Sequence, residues 1–76
     1  MYKEYNIKEI FSKRLKQLIV DKKKNAKSFS IEIGIPYSTI CDWLNMKTFA
    51  SIEHLPRIAH YFNVSADYLI GISDFE

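Results

Sequence analysis

The pattern of apolar and polar positions along the chain predicts five helices. From Ile7 to Ile19 apolar side chains recur every three or four residues, as on one face of an α-helix, and lysines occupy the other face. Four shorter segments repeat this spacing. Residues that favour helix ends stand between the segments: Asn25, Gly34, Ser51, Ser65 and Gly71. We therefore predict an all-α fold without β-strands.

The stretch from residue 25 to residue 47 predicts two short helices that cross at a tight turn. Apolar residues at helical spacing mark one face of each helix: Phe29 and Ile33 on the first, Ile40 and Trp43 on the second. Gly34 falls between them, at a position where a positive φ costs any other residue about 1 kcal/mol or more. The second helix is thus anchored on its apolar side and offers its polar side outward.

This pattern resembles the helix-turn-helix of the Xre/Cro-like family of phage and bacterial repressors. RLKQL, at residues 14–18, resembles the first helix of that family, and IEHLPRIAHYFNVSADYLIG, at residues 52–71, resembles its last two helices. The resemblance spans roughly residues 7 to 72. It implies a compact five-helix, lambda-repressor-like DNA-binding domain that occupies residues 1–76, with the helix-turn-helix at about residues 26–45.

The resemblance implies that the exposed face of the third helix reads DNA bases. Tyr37 and Ser38 stand at positions that often touch base edges in this family, and Thr39 can reach a phosphate or a thymine methyl group. Asp42, one turn later, can accept a hydrogen bond from the N4 amino group of cytosine. Two structural alternatives stay open: a Tyr37 ring that lies on the surface of the first helix, and an Asp42 that is an exposed charge with no role.

Candidates for contacts with DNA phosphates come from the loops on either side of the helix-turn-helix and from its first turn: Lys22, Lys23, Asn25, Lys27, Asn45, Lys47 and Thr48. Asn25 is a good N-cap, and a capped helix N-terminus points free N–H groups at an anion. For the lysines at 22–24 an alternative has equal weight. Cations are also favourable at the C-terminus of a helix, by about 0.3–1 kcal/mol each.

Some positions differ from the usual family pattern. Met46 stands where a glycine normally follows the third helix. Either it adopts a left-handed conformation with strain of about 1 kcal/mol, or the helix continues for another half turn. Ile31 stands where a polar residue is usual, either as a harmless surface side chain or as part of a partner contact. For the fourth helix we expect Ser51 as the N-cap and a core face formed by Ile52, Leu55, Ile58, Ala59 and Phe62.

Composition limits the class of protein. With 76 residues, 47% hydrophobic and 26% charged, the chain suits one small globular domain. It has no apolar run long enough to span a membrane, and its charged N-terminus is unlike a signal peptide. The single cysteine, Cys41, excludes an internal disulfide and suits a reducing compartment, so we expect a cytoplasmic location.

Charge is distributed unevenly along the chain. The net charge is only +2, but residues 1–24 contain eight Lys/Arg against three acids. Residues 48–76 contain one Arg against four acids. A basic first third of the chain suits a polyanionic partner such as double-stranded DNA.

The sequence contains no pattern that predicts catalysis, a metal site or a cofactor. It has no HExxH, no glycine-rich phosphate loop and no pairing of a nucleophile with a base. His54 and His60 are six residues apart, on different helix faces, and lack a Cys or acid at ligand spacing. We therefore expect a protein that is not an enzyme.

Two functional hypotheses remain. The first is a sequence-specific DNA-binding transcriptional regulator, which the resemblance and the lysines favour. The second is a protein-interaction module on the same fold, such as an antitoxin or an anti-regulator. The weak basicity of the third helix and Ile31 favour it, as does Ala26, which stands where the family often has a glutamine that binds a phosphate. We also expect a homodimer, because Ile72 and Phe75 follow the last helix with little core left to bury them.

Overall fold

The computed structural model describes residues 6–72 and consists of five α-helices in this range, with no strand. The helices are α1 (Ile7–Asp21), α2 (Ala26–Ile33), α3 (Tyr37–Leu44), α4 (His54–Phe62) and α5 (Ala66–Ile70). The predicted all-α class is confirmed. None of these helices is long and apolar enough to cross a membrane.

The core forms where α1 packs against α3 and α5, while α2 packs against α3 and α4. The predicted stripe of α1 supplies its centre, with Phe11 and Leu15 fully buried. The ring of Phe11 makes edge contacts with the rings of Trp43, at 5.8 Å between centroids, and Phe49, at 5.3 Å. Aromatic burial therefore joins the first helix to the third helix and to the loop that follows it.

The helix ends largely follow the predicted signals. Asn25 caps α2 through a capping box: its side chain accepts from the Ser28 N–H, and the Ser28 hydroxyl accepts from the Asn25 N–H. The side chain of Ser65 accepts from the N–H of Tyr68 and so caps α5. Gly34 ends α2 with φ at 75°, in the left-handed region that glycine adopts without steric cost.

The start of α4 differs from the prediction. The helix begins at His54, and residues 52 and 53 form a turn before it. The carbonyl of Ser51 accepts from the N–H groups of His54 and Leu55, both at 3.0 Å, but its hydroxyl lies beside the His54 ring and does not cap the helix backbone. The turn directs Ile52 outward, where it is 85% exposed. The prediction that Ile52 belongs to the core face of the fourth helix is therefore wrong.

At the end of α3, Met46 adopts the left-handed conformation, and the helix does not continue for another half turn. α3 ends at Leu44, Asn45 forms the C-cap, and Met46 has φ at 62°. The N–H of Met46 still donates to the Trp43 carbonyl at 3.2 Å, and the N–H of Lys47 donates to the Asp42 carbonyl at 2.9 Å. A residue with a Cβ therefore occupies a conformation that favours glycine.

We predict that Met46→Gly stabilises the domain. Relief of the left-handed strain should stabilise the folded state by about 1–2 kcal/mol. This gain outweighs the loss of about 0.4–1 kcal/mol in stability that arises because glycine makes the unfolded chain more flexible. The melting temperature should rise by about 2–8 °C. Thermal unfolding followed by circular dichroism measures this change. Met46→Ala is the matched control, because it shortens the side chain but keeps the strain. An equal effect of both substitutions would contradict the prediction.

Candidate nucleic-acid interface

The turn between α2 and α3 sets the geometry of the candidate interface. The Ser30 carbonyl, in the last turn of α2, accepts from the N–H groups of Gly34 and Ile35, at 2.9 and 3.2 Å. Ile35 is buried directly after the turn, as is Phe29 one turn before it. The two helices are thus joined by a hydrogen-bonded turn over a buried apolar contact, as the sequence predicted.

One side of α3 is fixed in the core. Ile40 and Trp43 are buried, at 0% and 2% exposure. The last carbonyl of α3, that of Leu44, accepts a hydrogen bond from the hydroxyl of Ser12 on α1 at 2.8 Å. This hydrogen bond was not predicted from the sequence. Its only signal was a small polar residue, Ser12, immediately beside the apolar stripe of α1.

The opposite side of α3 carries the predicted base-reading residues. Tyr37 and Ser38 are exposed, whereas Thr39 and Asp42 are half-buried. The Nζ atom of Lys27, on α2, lies 5.9 Å from the centre of the Tyr37 ring. The ring of Tyr37 therefore lies near the ammonium group of Lys27.

Cys41 lies one turn beyond Tyr37 on the same helix. The neighbouring Cys41 side chain is the main cause that raises the pKa of Tyr37 above its ordinary value of 10.0. Partial desolvation of the phenol acts in the same direction. An ordinary tyrosine is already protonated at neutral pH, so the Tyr37 hydroxyl can donate as well as accept a hydrogen bond.

Candidate phosphate contacts lie near both ends of α3. Lys27 stands beside Tyr37, the first residue of the helix. At the other end, the Asp42 carbonyl accepts from the N–H groups of Lys47 and Thr48, at 2.9 and 3.4 Å, which holds these residues beside the last turn. Asn45 and Lys47 are exposed, and Thr48 follows them directly. Cations and polar groups thus flank the exposed face of α3.

The lysines at 22–24 have different environments. The Nζ atom of Lys22 donates to the Tyr61 carbonyl at 3.2 Å and lies 4.3 Å from the centre of the Tyr61 ring. Lys24 forms an ion pair with Glu32 at 2.5 Å. Lys23 is exposed, with φ at 59°. The ammonium groups of Lys22 and Lys24 therefore contact α4 and α2, and not the C-terminal carbonyls of α1 that the structural alternative named.

Two residues of α4 contact the C-terminal end of α2. The hydroxyl of Tyr61 donates to Oε1 of Glu32 at 2.6 Å, and the guanidinium of Arg57 donates to the carbonyl of Ile33. Hydrogen bonds from Lys24 and then Tyr61 lower the pKa of Glu32 below 4.5. Burial, followed by the hydrogen bond to Glu32, raises the pKa of Tyr61 to about 12. No sequence pattern indicates these contacts, which join residues far apart in the chain.

Comparison with known proteins agrees with this geometry. The family model of the Cro/C1-type HTH DNA-binding domain matches residues 14–74. The chain belongs to this family. The Cro/C1-type domain is also similar to the solution structure of the SOS-response transcriptional repressor LexA from Eubacterium rectale. The TM-score is 0.80 with 27% sequence identity, over 92% of this chain and 73% of that one. No curated protein matches significantly.

Membership of the Cro/C1-type family confirms the resemblance and establishes the general function. The chain is a DNA-binding transcription regulator, in agreement with the expectation that it is not an enzyme. Over residues 6–72 no three His, Cys, Asp or Glu side chains converge on a point where a metal ion could bind. The individual base and phosphate contacts stay predictions.

Proposed function

We propose that this chain is a sequence-specific, repressor-like regulator that inserts α3 into the major groove of double-stranded DNA. The observation that carries the proposal is the two-sided character of α3. Ile40 and Trp43 hold one side in the core, whereas Tyr37 and Ser38 project from the other side. A helix that is held along one side can present its polar side chains to base edges at constant depth.

Base recognition is assigned to Tyr37, Ser38, Thr39 and Asp42. Tyr37 and Ser38 occupy the first turn of α3, which enters the groove first in helix-turn-helix proteins. Asp42 is an acceptor that suits the amino group of cytosine, and its charge repels neighbouring phosphates. Asp42 therefore contributes discrimination between bases and reduces affinity for DNA in general.

Phosphate binding is assigned to groups around α3. The N-terminus of α2, capped by Asn25, offers N–H groups to an anion, and Lys27 stands beside it. Asn45, Lys47 and Thr48 offer donors beyond the C-terminal end of α3. In the loop before α2, Lys23 is the most available cation, whereas Lys22 must first leave Tyr61 to reach a phosphate.

Selection of duplexes from a random DNA pool tests this proposal most directly. A sequence-specific regulator enriches one motif, and its affinity for that motif falls as salt concentration rises. The alternative, a protein-interaction module, predicts no enriched motif. The exposed side chain of Ile31, at 72%, is the observation that supports this alternative.

The single-domain organisation over residues 1–76 also stays a proposal. The described helices share one core cluster, which supports it for residues 6–72. The cytoplasmic location follows from a function on DNA and is likewise proposed.

The first functional prediction concerns affinity. Removing the charge of Lys23, Lys27 or Lys47 by substitution with Met should weaken binding to every duplex alike. It should reduce the slope of log K against log salt by about 0.9 for each phosphate that the protein no longer neutralises. Fluorescence anisotropy at several salt concentrations measures the slope. Lys16→Met, on the exposed face of α1, is the control with the same change in net charge. Equal slopes for the control and the variants would contradict the assignment.

The second prediction concerns discrimination. Asp42→Ala should reduce the preference at one base pair by roughly 1–3 kcal/mol, if Asp42 accepts from cytosine. It should also raise the affinity for unrelated duplexes, because a charge that repels phosphate is removed. Binding to a panel of single-base variants of the selected duplex measures both effects. A folded Asp42→Ala protein with an unchanged preference at every position would exclude Asp42 from base recognition.

The third prediction concerns assembly. We propose a homodimer that places two α3 helices in successive major grooves, joined by the C-terminal segment. Ile72 is 67% exposed, which supports a dimer interface at the C-terminal segment. Phe75 lies outside the described residues. Sedimentation with the selected duplex should give two chains for each minimal site. A ratio of one chain to one minimal site would disprove the dimer.

A further inference from the structure

The C-terminal end of α2 has no cation of its own. No basic residue lies in its last turn, and Ile33 is its last residue. The carbonyl of Ile33 therefore has no partner within the helix and lies at the negative end of the helix dipole. The guanidinium of Arg57, on α4, donates a hydrogen bond to this carbonyl. A residue from another helix thus supplies both the missing donor and the missing charge.

Arg57 makes this bond at the turn that leads into α3. A Cβ atom placed on Gly34 would lie 3.7 Å from Nη2 of Arg57, so the guanidinium stands against the turn itself. Four residues later on α4, Tyr61 holds the side chain of Glu32. Residues four apart lie on one face of a helix, so one face of α4 holds the end of α2 through two polar contacts.

We propose that Arg57 is a positioning residue that sets the orientation of α3 relative to α2. The turn of Gly34 and Ile35 is the covalent link between these helices, and Arg57 contacts the carbonyl that immediately precedes it. Base contacts depend on this orientation, because hydrogen bonds weaken steeply as their distance and angle depart from ideal values. The proposed effect of Arg57 on DNA recognition rests on the function proposed above, whereas its proposed effect on helix orientation does not.

A direct bond between Arg57 and a DNA phosphate is the competing explanation, and the two roles have different signatures. A phosphate-binding residue raises the affinity for all duplexes alike. It also steepens the slope of log K against log salt by about 0.9 per neutralised phosphate. A positioning residue changes the preference between duplexes and leaves the slope unchanged. Arg57→Met removes the donor and the charge with a side chain of similar length. Lys16→Met removes the same charge from the exposed face of α1.

The test begins with the free protein. Residual dipolar couplings of backbone amides measure the angle between α2 and α3 in the wild type, Arg57→Met, Arg57→Lys and Lys16→Met. The proposal expects a changed angle in Arg57→Met, recovery towards the wild type in Arg57→Lys, and no change in Lys16→Met. An Arg57→Met protein that is folded and keeps the wild-type angle would overturn it. If Arg57→Met does not fold, Arg57→Ala, which also removes the donor and the charge, takes its place in the comparison.

The second part uses two probes: a duplex selected by the wild-type chain from a random pool, and a scrambled duplex of the same composition. The dissociation constant for the scrambled duplex divided by that for the selected duplex should fall by roughly 5- to 150-fold in Arg57→Met. This range is the discrimination that one well-placed base contact provides. The salt slope should match that of Lys16→Met. A lower slope with an unchanged ratio would assign Arg57 to phosphate and overturn the proposal. If the wild type selects no duplex, the proposed function fails, and the helix angle still decides the role of Arg57.

Discussion

Burial of the inner face of α3 is the constraint on which the rest of the structure depends. Trp43 and Ile40 are almost completely enclosed, and Trp43 meets Phe11 of α1 edge to face. Truncating a buried tryptophan typically costs about 3–5 kcal/mol, a large part of the roughly 5–15 kcal/mol that stabilises a small domain. The same burial keeps Tyr37 and Ser38 outside. Burial of these two side chains therefore contributes both to the stability of the domain and to the exposure of the proposed recognition surface.

Polar contacts at the two ends of α3 complement this apolar anchor. Ser12 binds the last carbonyl of α3, and Arg57 binds the carbonyl that precedes the turn into it. Each bond adds only about 0.5–3 kcal/mol, less than the burial of Trp43. Apolar burial is nondirectional, however, whereas hydrogen bonds have strict geometry. Burial thus keeps α3 on the domain, and the polar contacts select among the orientations that burial permits.

Two of the lysines that follow α1 make contacts within the protein. Lys22 and Lys24 are bound to Tyr61 and Glu32, and these contacts connect the loop after α1 to α2 and α4. Of the lysines proposed to bind phosphates, Lys23, Lys27 and Lys47 are left, and all three are exposed. A small number of phosphate contacts gives modest affinity with a weak dependence on salt. Pairing of two chains on one site would double these contacts.

The sequence by itself determined the helical class, the anchored face of α3, the αL turn at Gly34 and the capping by Asn25. These features depend on periodicity and on local backbone preferences, which are properties of neighbouring residues. The sequence did not predict the hydrogen bonds from Ser12 to Leu44 and from Arg57 to Ile33. It also did not predict which of the lysines at 22–24 point outward. The cross-helix hydrogen bonds join residues 24 to 39 positions apart, so they exist only after the helices have packed. Ile52 shows the same limit, because two residues of turn before α4 were enough to move it from the expected core face to solvent.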